Sequence, residues 1–138
     1  MTINKKIEKI IFPQIKDKRG KLTICEYGDH IKHKIKRIYY LEKIPSSQSR
    51  GFHAHKTLEQ TFIAISGSFS IRLDDGSEFL EFKLSNSHEG LYVSSGLWRE
   101  IYDFSKNAIC LVLASDIYDE DDYIRDYNDF IKYKNDTL

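Results

Sequence analysis

Residues 50–67 read RGFHAHKTLEQTFIAISG, and the two histidines set one residue apart, His53 and His55, are the side chains best suited to chemistry in this chain. Imidazole changes charge near neutral pH, so it can take a proton, return one or bind a metal. Alternation along a β-strand puts His53 and His55 on one face, about 6 to 7 Å apart. If that face is the inside of a barrel, both rings share a cavity. A lone histidine is more often a hydrogen-bonded structural residue than a site. A pair on one face, followed by Gln60, points to function instead.

The elements that must hold this pair are short β-rich runs: LTICEY, IKRIYYL, QTFIAISGSFSIRL, EFLEFKLS, GLYVSSGLWREIYDF and AICLVLAS. Between them lie KRGK, IPSSQSRG, DDGS, SNSHEG and FSKN, rich in residues that turns demand. This spacing predicts an all-β antiparallel sandwich or small barrel, with DDGS as a hairpin tip. In KRIYY, alternation sets Tyr39 on the same face as Arg37 and turns Tyr40 away. Only the tail changes period. In DEDDYIRDYNDFIKYKN, Tyr123, Tyr127 and Phe130 fall at helical spacing and Ile124 and Ile131 extend that face, predicting a short C-terminal helix. Arg125 reads there as a helix ion pair with Asp121 or Asp122, and as a weaker site candidate.

The chain of 138 residues suits a single domain, 1–138, with no internal repeat or linker. Lys and Arg number 21, as do Asp and Glu, so no net basic field favours nucleic acid or a membrane surface. Charges interrupt the apolar residues of the N-terminal run too often for a secretory or membrane-spanning segment, and a cytoplasmic protein is expected. Cys25 and Cys110 each sit in an apolar run without a CxxC partner. Two buried, reduced thiols are expected.

His53, His55, Gln60 and Gly67 occupy a pattern similar to the first sequence motif of the cupins, and Ser94, Gly96, Arg99 and Asp103 follow the spacing of the second. The resemblance implies a cupin-type jelly roll. Metal-binding cupins offer a glutamate and a further histidine where this chain has Gln60 and Arg99. Arginine has no lone pair to give and repels a cation, so no metal and no cofactor is expected. Glu59 is adjacent, but alternation turns it to the other face.

Over its full length the chain resembles the dTDP-sugar 3,4-ketoisomerases, through DKRGKL, IKRIYY, RGFHAHKTLEQ, LDDG, GLYV, WREIYDFS and VLASDIYDEDDYIRDYNDF. The resemblance implies a dTDP-linked 4-keto-6-deoxy sugar as substrate and a homodimer as the working form, with the run IIFPQI offering a strand to a partner. It implies acid/base enolisation by His53 and His55, with His53 as the carbon base, and a weak preference for the galacto product, carried by Arg19. Tyr39 is placed to hydrogen-bond the enediolate oxygen. Arg37, Arg50 and Arg72 are candidates for the diphosphate, Trp98 for stacking on thymine or lining the sugar pocket, and Arg19, Gln60 and Arg99 for holding the sugar. Each has a plainer structural reading, as a core aromatic or a surface charge. The competing functions are a metal-dependent cupin enzyme, which metal analysis would reveal, and a non-catalytic sugar-nucleotide-binding module.

Overall fold

The computed structural model describes residues 2–137. In chain order its strands are β1 (Ile7–Ile11), β2 (Gln14–Asp17), β3 (Gly20–Thr23), β4 (Arg37–Glu42), β5 (Arg50–His55), β6 (Gln60–Ser66), β7 (Phe69–Asp74), β8 (Phe79–Leu84), β9 (Glu89–Val93), β10 (Trp98–Tyr102), β11 (Ile109–Ala114) and β12 (Tyr123–Ile124), followed by one helix, α1 (Tyr127–Asp136). One five-stranded antiparallel sheet has the order β1-β9-β6-β11-β4 and the other β12-β5-β10-β7-β8, while β2 and β3 form a separate hairpin. This is the all-β jelly roll expected from the motifs.

Alternation sorts the side chains. Phe62 and Ala64 of β6 turn inward to meet Phe69, Ile71 and Leu73 of β7 and Val112 of β11, all buried. Each large apolar side chain so buried contributes about 1.5–3 kcal/mol. The outer faces are covered where they are apolar. Ile63 and Leu113 meet Phe12 and Ile31, and Ala54 and Trp98 pack against Ile124 and Phe130, so α1 lies on the sheet that carries β5. The DDGS tip closes as expected, with Asp75 Oδ1 accepting from the backbone N–H groups of Ser77 and Glu78. Gly67, between β6 and β7, has φ +63° and would set a Cβ 2.9 Å from the Ala108 backbone, so no other residue fits without displacement.

The tail departs from its helical reading. The helix begins only at Tyr127, where Asp126 accepts from the Asp129 N–H. Tyr123 and Ile124 instead pair with His55 and Ala54 of β5. The helical spacing of Tyr123 is incidental, because the edge of β5 offers its backbone ladder partners. Cys110 is buried, but Cys25 is exposed. The strand in LTICEY ends at Thr23, in a hairpin that presents both faces to solvent. The run IIFPQI is likewise split: Ile10 and Ile11 pair with β9 of the same chain, and Gln14 opens the hairpin. Among the described residues no helix is long and apolar enough to cross a membrane.

Candidate active site

Inward-facing residues of β4, β5, β6 and β10 line a cavity of about 320 Å³ between the two sheets, with Arg37, Tyr39, Arg50, His53, Arg99 and Tyr123 on its walls. The two histidine rings meet edge to face, 4.9 Å between centroids. The Tyr123 ring stands 5.0 Å from His53 and 4.5 Å from His55.

Strand β5 reaches this geometry through a bulge. Gly51 and Phe52 have φ of +93° and +57°, and the pairing with β10 slips between Arg99 and Glu100. A Cβ at Gly51 would lie 3.0 Å from the Arg99 carbonyl oxygen, so glycine is required there. The bulge turns the Gly51 carbonyl towards His53, whose Nδ1 lies 3.0 Å away. A carbonyl can only accept, so the His53 proton sits on Nδ1 and Nε2 keeps a bare lone pair. His55 is buried, with Nδ1 2.8 Å from Asp122 Oδ2 and Nε2 without a partner among the described residues.

A relay of hydrogen bonds sets the phenol opposite. Arg99 Nη1 donates to Gln60 Oε1, and Gln60 Nε2 donates to the Tyr39 hydroxyl at 2.9 Å. Because a guanidinium only donates, it fixes which end of the Gln60 amide faces Tyr39. The Tyr39 oxygen therefore accepts from Gln60 and keeps its own O–H for another acceptor.

Arg99 supplies the charge. It is 1% exposed, its Nη2 donates to the Leu97 carbonyl at 3.2 Å, and its Nε has no partner among the described residues. Among the described residues no carboxylate forms an ion pair with it. Burial lowers its pKa to about 10, which still leaves it protonated at neutral pH. Burial first, and the Arg99 charge second, bring His53 down to about 4. The same two causes push His55 down, so both imidazoles are neutral at pH 7. Burial raises the Tyr39 pKa and keeps the phenol protonated.

The remaining candidates divide by strand face. Arg37 lines the cavity beside Tyr39, its Cζ 5.5 Å from the ring centroid, and Tyr40 faces out, as alternation requires. Glu59 also turns out, accepting from the Tyr92 hydroxyl. Arg72 lies elsewhere, because it alternates with the buried Ile71 and Leu73 and stacks over Phe79 at 3.7 Å. Trp98 is adjacent to Arg99 and so faces the opposite way, packing on Tyr127 and Phe130 beneath α1. Arg19, in the turn of the β2–β3 hairpin, is exposed and paired with Asp17 at 2.7 Å, away from the cavity of its own chain.

Arg125 is not on the helix. It pairs with Glu120 rather than Asp121 or Asp122, lies 4.2 Å over the Tyr123 ring and lines the cavity. Tyr123 and Asp122 are site neighbours that the sequence reading missed. Their only signal is an aromatic and a carboxylate in a stretch whose spacing suggests a helix. Among the described residues no cluster of three or more His, Cys, Asp or Glu side chains could hold a metal.

Two packed antiparallel sheets enclosing neutral histidines, a phenol and buried arginine make this chain a cupin whose pocket carries acid/base groups and fixed positive charge. The chain belongs to the FdtA family, described as WxcM-like, C-terminal, whose model matches residues 5–135. It is 46% identical over 124 residues to a TDP-4-oxo-6-deoxy-alpha-D-glucose-3,4-oxoisomerase of Aneurinibacillus thermoaerophilus, covering 90% of this chain and 89% of that one. A His→Asn variant of the 3,4-ketoisomerase QdtA from Thermoanaerobacterium thermosaccharolyticum, solved with TDP-4-keto-6-deoxyglucose, superposes with a TM-score of 0.93 at 39% identity over 96% of each chain. A 3,4-ketoisomerase from Helicobacter canadensis gives 0.91 at 41% identity over 94% of this chain and 97% of that one.

Proposed function

We propose that this protein is a TDP-4-keto-6-deoxyglucose 3,4-ketoisomerase, an intramolecular oxidoreductase that moves the sugar ketone from C4 to C3. The observation that carries the reading is one pocket lined by a histidine with a bare Nε2, a phenol and a buried guanidinium, with the His55 ring packed edge to face behind His53. The relatives supply the sugar. Residues 1–138 act as one cupin domain, working in the cytoplasm.

His53 Nε2 takes the C3 proton, which the neighbouring ketone acidifies, and the electron pair forms C3=C4 while negative charge moves to O4. The Tyr39 O–H and the Arg99 charge stabilise that oxygen. His55 Nε2 takes the O3 proton and delivers it to O4. His53 then gives its proton to C4, and O3 becomes the ketone. Each proton taken from C3 and O3 is returned at C4 and O4, so no external oxidant is needed. Arg37 and Arg50 hold the diphosphate, with Arg125 at the same wall. Incubation with TDP-4-keto-6-deoxyglucose followed by NMR of the sugar tests this directly. A 3-keto product is expected, and unchanged substrate would end the reading.

The working form is a homodimer. Strand β4 is a sheet edge and carries Ile38 and Tyr40, 61% and 60% exposed. The β2–β3 hairpin pairs with no other strand among the described residues and exposes Ile15 and Leu22. Laying the hairpin of a second copy along β4 covers both sets and brings that copy's Arg19 beside the strand of Arg37 and Tyr39. Sedimentation at micromolar concentration should show a dimer, and a double substitution Ile15→Glu and Leu22→Glu should yield monomer. A monomeric unmodified protein would refute the arrangement.

The product has the galacto configuration at C4. In the dimer, Arg19 of the second copy reaches the pocket mouth and sets the tilt of the sugar ring over His53. Arg19→Tyr should shift the product towards gluco, whereas Arg99→His should leave it unchanged. Proton couplings at C4 report the outcome, and a gluco product from the unmodified protein would overturn the assignment.

A further inference from the structure

Asp122 lies outside the cavity, at the end of the 3-10 turn Glu120–Asp122 that leads into β12. Its side-chain contacts fall on His55 and Thr57, at the end of β5 and just beyond it. Oδ2 is 2.8 Å from His55 Nδ1. Oδ1 accepts from the Thr57 N–H at 2.7 Å and from the Thr57 hydroxyl at 2.9 Å. Its backbone carbonyl accepts from the Lys56 N–H at 2.9 Å. The carboxylate is thus held at both oxygens. At the far side of the ring it orients, the buried His55 Nε2 has no partner among the described residues.

A neutral imidazole carries one proton, and an ionised carboxylate can only accept. With Nε2–H, a lone pair of His55 would face a carboxylate oxygen at 2.8 Å, which is repulsive. The proton therefore sits on Nδ1. We propose that Asp122 is a positioning residue for the isomerisation: acting through His55, it locks the Nδ1–H tautomer and so presents Nε2 as the bare acceptor for a substrate hydroxyl proton. The catalytic part rests on the ketoisomerase reading above. The tautomer part does not: it stands on the bond between His55 and Asp122 and on the neutrality of the buried ring.

The Thr57 clamp makes Asp122→Asn a sharp test. The Thr57 N–H must meet the amide oxygen, which leaves the amide NH2 facing His55 Nδ1. That arrangement fits only a bare Nδ1, so the His55 proton moves to Nε2, the atom required to accept. The logic is that of a catalytic histidine whose tautomer is fixed by its carboxylate.

In the unmodified protein, 15N shifts of His55 should show a protonated Nδ1 and a bare Nε2. Asp122→Asn should exchange the two signatures while circular dichroism and thermal midpoint stay close to those of the parent. It should lower kcat by about a hundredfold or more while KM changes only a few-fold, because Asp122 does not touch the sugar. A merely structural carboxylate would lower the midpoint without exchanging the 15N signatures. A protonated Nε2 in the unmodified protein overturns the proposal without any variant or substrate, so a variant that fails to fold does not shelter it. Unchanged kcat in a variant with the exchanged tautomer also overturns it. An unmodified protein that folds but leaves TDP-4-keto-6-deoxyglucose untouched overturns both the ketoisomerase reading and the catalytic role. Turnover by parent and variant alike removes only the role of Asp122.

Discussion

His53→Asn is expected to lower kcat by about a hundredfold or more, the usual scale for losing a general acid/base, while the fold and the affinity for TDP are retained. The asparagine amide can still donate towards the Gly51 carbonyl, so the bulge keeps its partner. Turnover with the natural sugar and calorimetry with TDP separate the two effects, and parental turnover would remove His53 from the mechanism. The pH dependence gives a second readout. Burial and Arg99 hold His53 at about 4, below its ordinary 6.5. As the base it is therefore competent from neutral pH down to about 5, and kcat/KM should fall as pH drops through 4. The sign for stability is the same. Between 6.5 and 4 the unfolded chain binds a proton at this residue and the folded chain does not, so stability is lost as pH falls across that window. His53→Asn should flatten that part of the loss in thermal midpoints measured against pH.

Arg99→Met is expected to separate stability from activity. Among the described residues the buried guanidinium has no carboxylate partner, and burying an unpaired charge is costly, so an apolar side chain of similar length relieves that cost and offsets the donor that Gln60 loses. Catalysis should suffer, because the enediolate loses the fixed cation beside it. Removing one preorganised donor of this kind costs about a hundredfold or more in kcat. The Gln60 amide also loses the group that orients it, so Tyr39 is no longer assured of a free O–H. A thermal midpoint equal to or above that of the parent, together with the lower kcat, is expected. A variant both unstable and fully active would show Arg99 to be structural. His53 should titrate higher in this variant, since the Arg99 charge, the second largest cause of its depressed pKa, is gone.

Much of the pocket was legible because period-two alternation is a local rule. It sets Arg37 with Tyr39 on β4 and His53 with His55 on β5, and sends Tyr40 and Glu59 outward, as found. The same rule forbids Trp98 and Arg99 from sharing a pocket, and it turns Arg72 away once Ile71 and Leu73 are placed in the core. Those two residues were nominated by chemistry when strand face should have decided. The bulge at Gly51 and Phe52 had one local signal, a glycine inside a strand run, whereas nothing in RGFHAH reports the positive φ of Phe52. Asp122 and Tyr123 escaped for a different reason. Their position depends on a two-residue strand pairing with β5, a contact made across the chain that no local period reports.

The bond between His55 and Asp122 joins residues 67 positions apart, and it has a consequence for the order of events during synthesis. Eleven of the twelve strands among the described residues precede Asp122, so a growing chain carries the residues of both sheets' central strands before that carboxylate has been made. The barrel can close early, whereas the orientation of His55 waits for a segment made after those strands. Competence thus arrives as a late docking event. A nascent chain paused just before Glu120 should bury much of its core while its second histidine is still free to turn.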